Sequence, residues 1–389
     1  MSIQLAGRPA PTAPAPARTA PRHHPSHASL LHRVDDPTSR HDLDAIIVPT
    51  ARQTPYLRFA LALGKELDCP VVALCSIRAS ADAANRVARQ LGVHLIATDV
   101  RDPVTLPAFT TSTLLADSRF ARKGDLSLKR NIGLALSKML DWDRIAFLDD
   151  DIRSVRPDDM RAAAGLLDRF SMVGLGNDGF PDNSVVCHAL RAVGVDQETF
   201  VGGGAMVVPV GRTKTFFPDI YNEDWFFLLD EDGLSRTAVT GRMVQEPYEP
   251  FRTTERARAE ELGDCLAEGI YALLDDGGSV ADADLAFWTA FLEDRRTMVD
   301  RIIAAIPGRP GLTDEEKRRI AESMRASHGR RLFITPELCV AYLRALAADR
   351  EIWRGYLETL PKGLGPRAAL AHLGLTSTHI RLPRGQSRG

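Results

Sequence analysis

Short apolar runs and helix-period stretches take turns along residues 43–100. LDAIIVPT (43–50) is a compact apolar run that stops at Pro49 and Thr50. CPVVALCSI (69–77) and VHLIATDV (93–100) repeat the pattern, and each predicts a strand. Between them, PYLRFALALGKELD (55–68) sets Leu57 and Leu61 at helical spacing. SADAANRVARQLG (80–92) predicts a helix with Ser80 as N-cap and Gly92 at its end. This β-α-β-α-β order predicts a parallel sheet covered by helices, an α/β fold.

Farther along, LKRNIGLALSKMLDW (128–142) predicts a helix that feeds a fourth strand, DRIAFLDDDI (143–152). Apolar runs at 171–177, 184–190 and 205–210, broken by Gly, Asn and Pro, read as a mixed extension of the sheet. From residue 253 the period changes to that of successive amphipathic helices, which continue to 363. The expected organisation is an α/β unit over 41–252, a helical region over 253–363 that shapes an acceptor side or an oligomer interface, and a loose tail over 364–389.

Composition changes this picture at the N-terminus. Residues 1–34 hold six prolines, four arginines and four histidines but no Asp or Glu, and residues 1–40 are expected to be a disordered Pro/Ala/Arg-rich tail. The rest is ordinary for a globular chain: 389 residues, 44% apolar and 26% charged. A net charge of −2 gives no basic surplus for nucleic acid. Five scattered cysteines without a Cys-x-x-Cys pair fit reduced thiols in a cytoplasmic protein. No apolar stretch approaches the roughly 18 residues of a membrane span.

Candidate chemistry begins with Asp149, Asp150 and Asp151. Alternation along a strand points Asp149 and Asp151 one way and Asp150 another. Two carboxylates about 5 Å apart at an effective dielectric near 20 repel by roughly 3 kcal/mol, so the cluster calls for water, a shared proton or a cation. It ends a strand at the edge where open α/β sheets bind ligands. Hard oxygen ligands there suit Mg²⁺ or Mn²⁺ completed by substrate phosphates. A solvated acidic turn is the plain alternative.

The surroundings of the cluster carry a resemblance. LKRNIGLALSKMLDWDRIAFLDDDI resembles the central segment of nucleotide-sugar-dependent glycosyltransferases of the GT-A fold, family-2-like, where an RN-x-G helix precedes a strand ending in an Asp-x-Asp metal motif. IIVPTAR (46–52) resembles that group's first strand and nucleotide-contacting turn, VGGGAMVVP (201–209) its glycine segment along the sugar, and NEDWFF (222–227) its later acidic motif. The pieces stand in the family order over residues 43–250.

The resemblance implies metal ligation by Asp149 and Asp151, with Asp150 near the ribose. Thr50, Arg52, Gly203 and Gly204 would contact the nucleotide sugar, and Lys129 and Arg130 would add positive charge at its phosphates. Asp224 would be the general base, supported by Glu223, with Trp225 as an apolar face for the acceptor sugar. The implied reaction moves one sugar from a nucleotide-diphosphate donor, a UDP-sugar first and a GDP-sugar second, to a soluble or peripheral acceptor. Inversion is the expected stereochemistry.

Departures narrow the reading. Ser76 and Arg78 stand where the family's second strand often ends in an acid, which leaves the base open. QEPY (245–248) replaces Gln-x-x-Arg-Trp, which argues against a processive synthase. A pyrophosphorylase wants a glycine-rich loop after the first strand, and PTARQTPYL has no glycine. A haloacid-dehalogenase-like phosphatase wants Thr or Val where Arg153 stands. A non-catalytic binding or scaffold protein of the same fold and the haloacid-dehalogenase-like phosphatase are the alternatives.

Overall fold

The apolar runs assemble into one ten-stranded sheet in a computed structural model that describes residues 22–382 except 102, 181–183, 199 and 232. The strands are β1 (His32–Arg33), β2 (Ala45–Thr50), β3 (Val71–Cys75), β4 (Leu95–Asp99), β5 (Arg144–Leu148), β6 (Ile152–Val155), β7 (Met172–Asn177), β8 (Ala205–Pro209), β9 (Thr237–Gln245) and β10 (Thr378–Arg381). Their order across the sheet is β1-β9-β7-β8-β5-β2-β3-β4-β10, with β6 paired to β9. β5, β2, β3 and β4 are mutually parallel, whereas β8 runs antiparallel to both β5 and β7. The α/β class with a largely parallel centre is as expected.

The helices are α1 (Arg58–Glu66), α2 (Ala81–Leu91), α3 (Thr110–Leu115), α4 (Leu126–Met139), α5 (Pro157–Leu166), α6 (Val185–Ala192), α7 (Glu223–Leu228), α8 (Thr254–Asp275), α9 (Leu285–Ala305), α10 (Asp314–Arg331), α11 (Pro336–Thr359) and α12 (Pro366–His372). Strand alternation divides them. Ile46, Val48, Val71 and Ala73 point to the face covered by α1, α2 and α5. Ala45, Ile47, Val72 and Phe147 point to the face covered by α4, α7, α8 and α11. α8, α9 and α11 thus share a continuous core with the sheet, whereas α10 packs with α6 in a separate apolar cluster.

Four expectations are corrected. Asp149–Asp151 form a turn between β5 and β6 and not the end of one strand. Residues 185–190 are helical: Ser184 accepts the N–H of Cys187 as an N-cap, and apolar runs of this length fit either period. Residues 22–40 are docked: β1 pairs in parallel with β9, with His32 opposite Ala238. Residues 364–382 hold α12 and β10, which pairs antiparallel with β4. The rest of both expected tails lies outside the described residues. None of the five cysteines is in a disulfide. Among the described residues no helix is long and apolar enough to cross a membrane.

α4 reaches its place because Gly133 lets it approach the sheet. A Cβ there would lie 2.7 Å from Cγ2 of Ile47 and 3.2 Å from a ring carbon of Phe147, both fully buried. Gly133→Val should therefore destabilise the fold by about 1–3 kcal/mol, the usual cost of overpacking. A lowered urea midpoint with unchanged slope is the expected readout.

Candidate active site at the carboxyl edge of the sheet

β2, β3 and β5 end side by side at one edge. Beyond Leu148 the N–H of Asp149 donates to the carbonyl of Gly204 at 2.9 Å, which ties the acidic turn to the segment entering β8. The N–H of Ile152 returns to the carbonyl of Asp149 at 3.2 Å and closes a four-residue turn, a setting that favours Asp. Asp149 and Asp151 line one cavity and Asp150 does not. The division is that of a strand, but the turn produces it.

Arg130, from α4, is the charged centre. Its Nη2 donates to Asp149 Oδ1 at 2.9 Å and to the carbonyl of Gly203 at 3.1 Å, and its Nη1 to Glu223 Oε1 at 2.8 Å. Burial opposes the charge on this guanidinium, yet Asp149, Glu223 and Asp224 more than compensate and its pKa is raised. Burial pushes the Asp149 carboxyl up to about 6 against the pull of Arg130, and the neighbouring Asp151 and Asp150 add to the rise. Burial likewise pushes Glu223 up to about 7, opposed by Arg130 and reinforced by Asp224.

α7 presents the second acidic pair. Asn222 precedes it in the left-handed region at φ 60°, a conformation Asn tolerates, and Glu223 and Asp224 open the first turn. Asp224 Oδ2 accepts the N–H of Gly203 at 2.5 Å, and Oδ1 accepts that of Trp225 at 3.0 Å. The glycine segment is thereby held against both acidic motifs. A Cβ on Gly203 would lie 2.6 Å from Arg130 Nη1, so this close approach requires glycine.

Beneath the open layer lies a closed one. Asp150 is 6% exposed and accepts from Thr50 Oγ1 at 2.8 Å and from Arg52 Nη1 at 2.7 Å. The same Arg52 nitrogen lies 2.9 Å from Asp151 Oδ2. Lys129 is 1% exposed, and its Nζ is shared among the carbonyl of Thr50 (2.9 Å), Ser76 Oγ (2.6 Å) and Asp125 Oδ1 (2.9 Å). Burial lowers the Lys129 pKa despite the Asp125 carboxylate.

The cavity is about 270 Å³ and brings together Arg52, Arg130, Asp149, Asp151, Gly203, Gly204, Glu223 and Asp224. Thr50, Lys129 and Asp150 sit below its floor. Trp225 is not an open platform: it is 7% exposed and its ring packs against Phe200, Tyr271 and His27 at 4.8, 4.9 and 5.5 Å between centroids. The aromatic faces lining the cavity are instead Phe180, Phe200, Tyr221 and Tyr248.

Three further lining residues stand outside the candidate site residues singled out in the sequence. Arg122 stands at the cavity with Nη1 buried and without a hydrogen-bond partner among the described residues. Its only signal was basic character just before Gly124 and the helix. Gln245, at the end of β9, donates from Nε2 to Asp151 Oδ1 at 3.0 Å. Arg256 lines the same cavity from α8 and pairs with Glu260 at 2.6 Å.

No protein-family model and no curated protein matches this chain. Among solved structures it is similar to the mannosyltransferase PcManGT from Pyrobaculum calidifontis in complex with GDP-Man and Mn²⁺. The two are 13% identical, over 82% of this chain and 89% of that chain, with a TM-score of 0.41. A likeness this shallow assigns neither fold family nor activity.

The raised carboxyls fix a pH dependence. A folded-state pKa above the unfolded value means that protonation favours the fold, so this contribution is complete below about pH 4.5 for Glu223 and lost as pH rises through about 7. Thermal stability should fall between about pH 5 and 8, and Glu223→Gln should flatten that slope, as read from melting temperatures across the range.

Proposed function

We propose that this chain is a metal-dependent glycosyltransferase that moves one sugar from a nucleotide-diphosphate donor to an acceptor hydroxyl. The observation that carries the reading is the convergence, in one cavity at the carboxyl edge, of the Asp149–Asp151 pair, the four guanidiniums of Arg52, Arg122, Arg130 and Arg256, and the Glu223–Asp224 pair. Carboxylates that hold a cation, cations that meet a diphosphate and a carboxylate that takes a proton are the parts such a transfer needs.

The donor set fits a divalent ion whose shell is completed by the substrate. Asp149 and Asp151 supply hard oxygens that line the cavity. No cage of three acidic ligands forms there among the described residues. Mn²⁺ or Mg²⁺ at these oxygens would neutralise charge on the leaving diphosphate.

Every other step belongs to the chain. Arg52, 45% exposed, bridges Asp150 and Asp151 and is placed to exchange one carboxylate for a phosphate oxygen. Arg130 holds Asp149 and Glu223 in register, and Arg122 offers an anion a nitrogen with no hydrogen-bond partner among the described residues. Asp224, fixed by two backbone N–H groups, takes the proton of the acceptor hydroxyl while the sugar–phosphate bond breaks. The acceptor oxygen attacks from the face opposite the leaving group, which inverts the anomeric centre.

Thermal stabilisation by a panel of UDP- and GDP-sugars, with and without Mn²⁺, tests the assignment. One sugar nucleotide should stabilise the protein only with metal, and Asp151→Ala should abolish the effect. Asp224→Asn should bind that nucleotide normally yet lose about 10²–10⁴-fold in transfer. Stabilisation by no nucleotide, or transfer undiminished in Asp224→Asn, would overturn the assignment of function or of base. Arg52→Ala should separate the two roles of this arginine: tighter Mn²⁺ binding without nucleotide and weaker binding of the sugar nucleotide, both measured by calorimetry.

A further inference from the structure

The segment ahead of the sheet crosses α6 and α8 and brings three histidines, His23, His24 and His27, to an acidic helix surface. His23 Nδ1 is buried, makes no hydrogen bond among the described residues and lies 3.3 Å from Glu268 Oε2. On the other side of that carboxylate, Cys187 Sγ in the first turn of α6 lies 3.9 Å from Glu268 Oε1. The three donor atoms fall within 4.8 Å of one another, although residues 23, 187 and 268 come from three distant parts of the chain. Cys187 and Glu268 also line a cavity of about 20 Å³, room for a single small ion or water.

The chemistry of this group is selective. Thiolate, imidazole and carboxylate together suit zinc and not the hard cations expected at Asp149 and Asp151. Zinc–ligand distances of about 2.0–2.3 Å in a tetrahedron put ligand atoms roughly 3.3–3.6 Å apart; His23 Nδ1 stands 3.3 Å from one Glu268 oxygen and Cys187 Sγ 3.9 Å from the other, so a small side-chain adjustment closes the set. The surroundings orient two of the ligands. His23 Nε2 lies 3.0 Å from Gln197 Oε1, so an N–H there leaves the Nδ1 lone pair for a metal. His27 Nε2 lies 3.1 Å from Glu268 Oε2 and holds the carboxylate in place.

We propose that His23 Nδ1, Cys187 Sγ and the Glu268 carboxylate bind one zinc ion, with water as fourth ligand, and that this ion fastens the N-terminal segment to α6 and α8. The thiol proton is released to solvent as the thiolate binds. The ion would stand behind the wall of the candidate active site: His27 packs edge-on against Trp225, the neighbour of Asp224. It is a structural centre separate from the Asp149–Asp151 pair and takes no part in sugar transfer.

The test uses the full chain purified without chelator or histidine tag. Elemental analysis should find about one zinc per chain, and cobalt exchanged into it should show thiolate-to-metal charge-transfer absorption. Cys187→Ser should lose both signals, Gln197→Ala should weaken metal affinity about tenfold or more, and Asp149→Asn with Asp151→Asn should leave both intact. Circular dichroism of the metal-free variants should match that of metal-free wild type. Wild-type protein with no stoichiometric zinc and no thiolate band in excess cobalt would overturn the proposal. So would a band that survives in Cys187→Ser.

Discussion

The site depends on one buried guanidinium. Arg130 is 1% exposed, and a charge so placed is tolerable only if its donors are met by acceptors of good geometry. Asp149, Glu223 and the Gly203 carbonyl meet the two terminal nitrogens, each from a different segment, while Nε has no hydrogen-bond partner among the described residues. The dependence is mutual: without Arg130, the half-buried Asp149 and the buried Glu223 would lose the cation that joins them. Removal of one partner from such a group typically costs about 3–5 kcal/mol because the remainder stays buried and unpaired. The acidic turn, the glycine segment and the start of α7 are therefore one electrostatic unit, fixed by a residue on a fourth element.

That unit explains the two layers of the edge. Below the cavity floor, Asp150, Thr50, Lys129 and Ser76 satisfy one another by short hydrogen bonds and hold the ends of β2, β3 and β5 together. Above it, Asp149 and Arg52 keep partial exposure, and they and Asp151 line the cavity while joined by ion pairs. A rigid, satisfied layer under a charged, adjustable one is the arrangement in which a ligand can exchange partners without unfolding the strands that present them.

How much of this the sequence discloses follows from the range of each interaction. The strands of 43–100 and the helix before the triple Asp are legible because their signals are local: apolar runs, an N-cap, a glycine at a helix end. The acidic pairs are legible because their spacing is local too. Lys129 and Arg130 look equivalent in sequence, yet one is consumed beneath the floor and the other organises the cavity, a difference set by contacts 53 to 93 residues away. Trp225 reads as an exposed aromatic beside acids, but Tyr271 of α8 and Phe200 close over it.

The N-terminal segment shows the same limit from the other side. Its composition cannot support a core of its own, and by that measure it should not be ordered. Its histidines instead meet Glu268, Asp275 and Asp276 of an acidic helix about 250 residues later, while Ser26 donates to Glu198. His27 bridges Glu268 and Asp275 at 3.1 and 2.5 Å and is only 4% exposed. Order here is imposed by complementary charge on another element, not by local hydrophobic pattern. Because the same His27 ring rests on Trp225, the docking of this segment also braces the helix that carries Asp224. The least structured composition in the chain thus buttresses the wall of its most organised site.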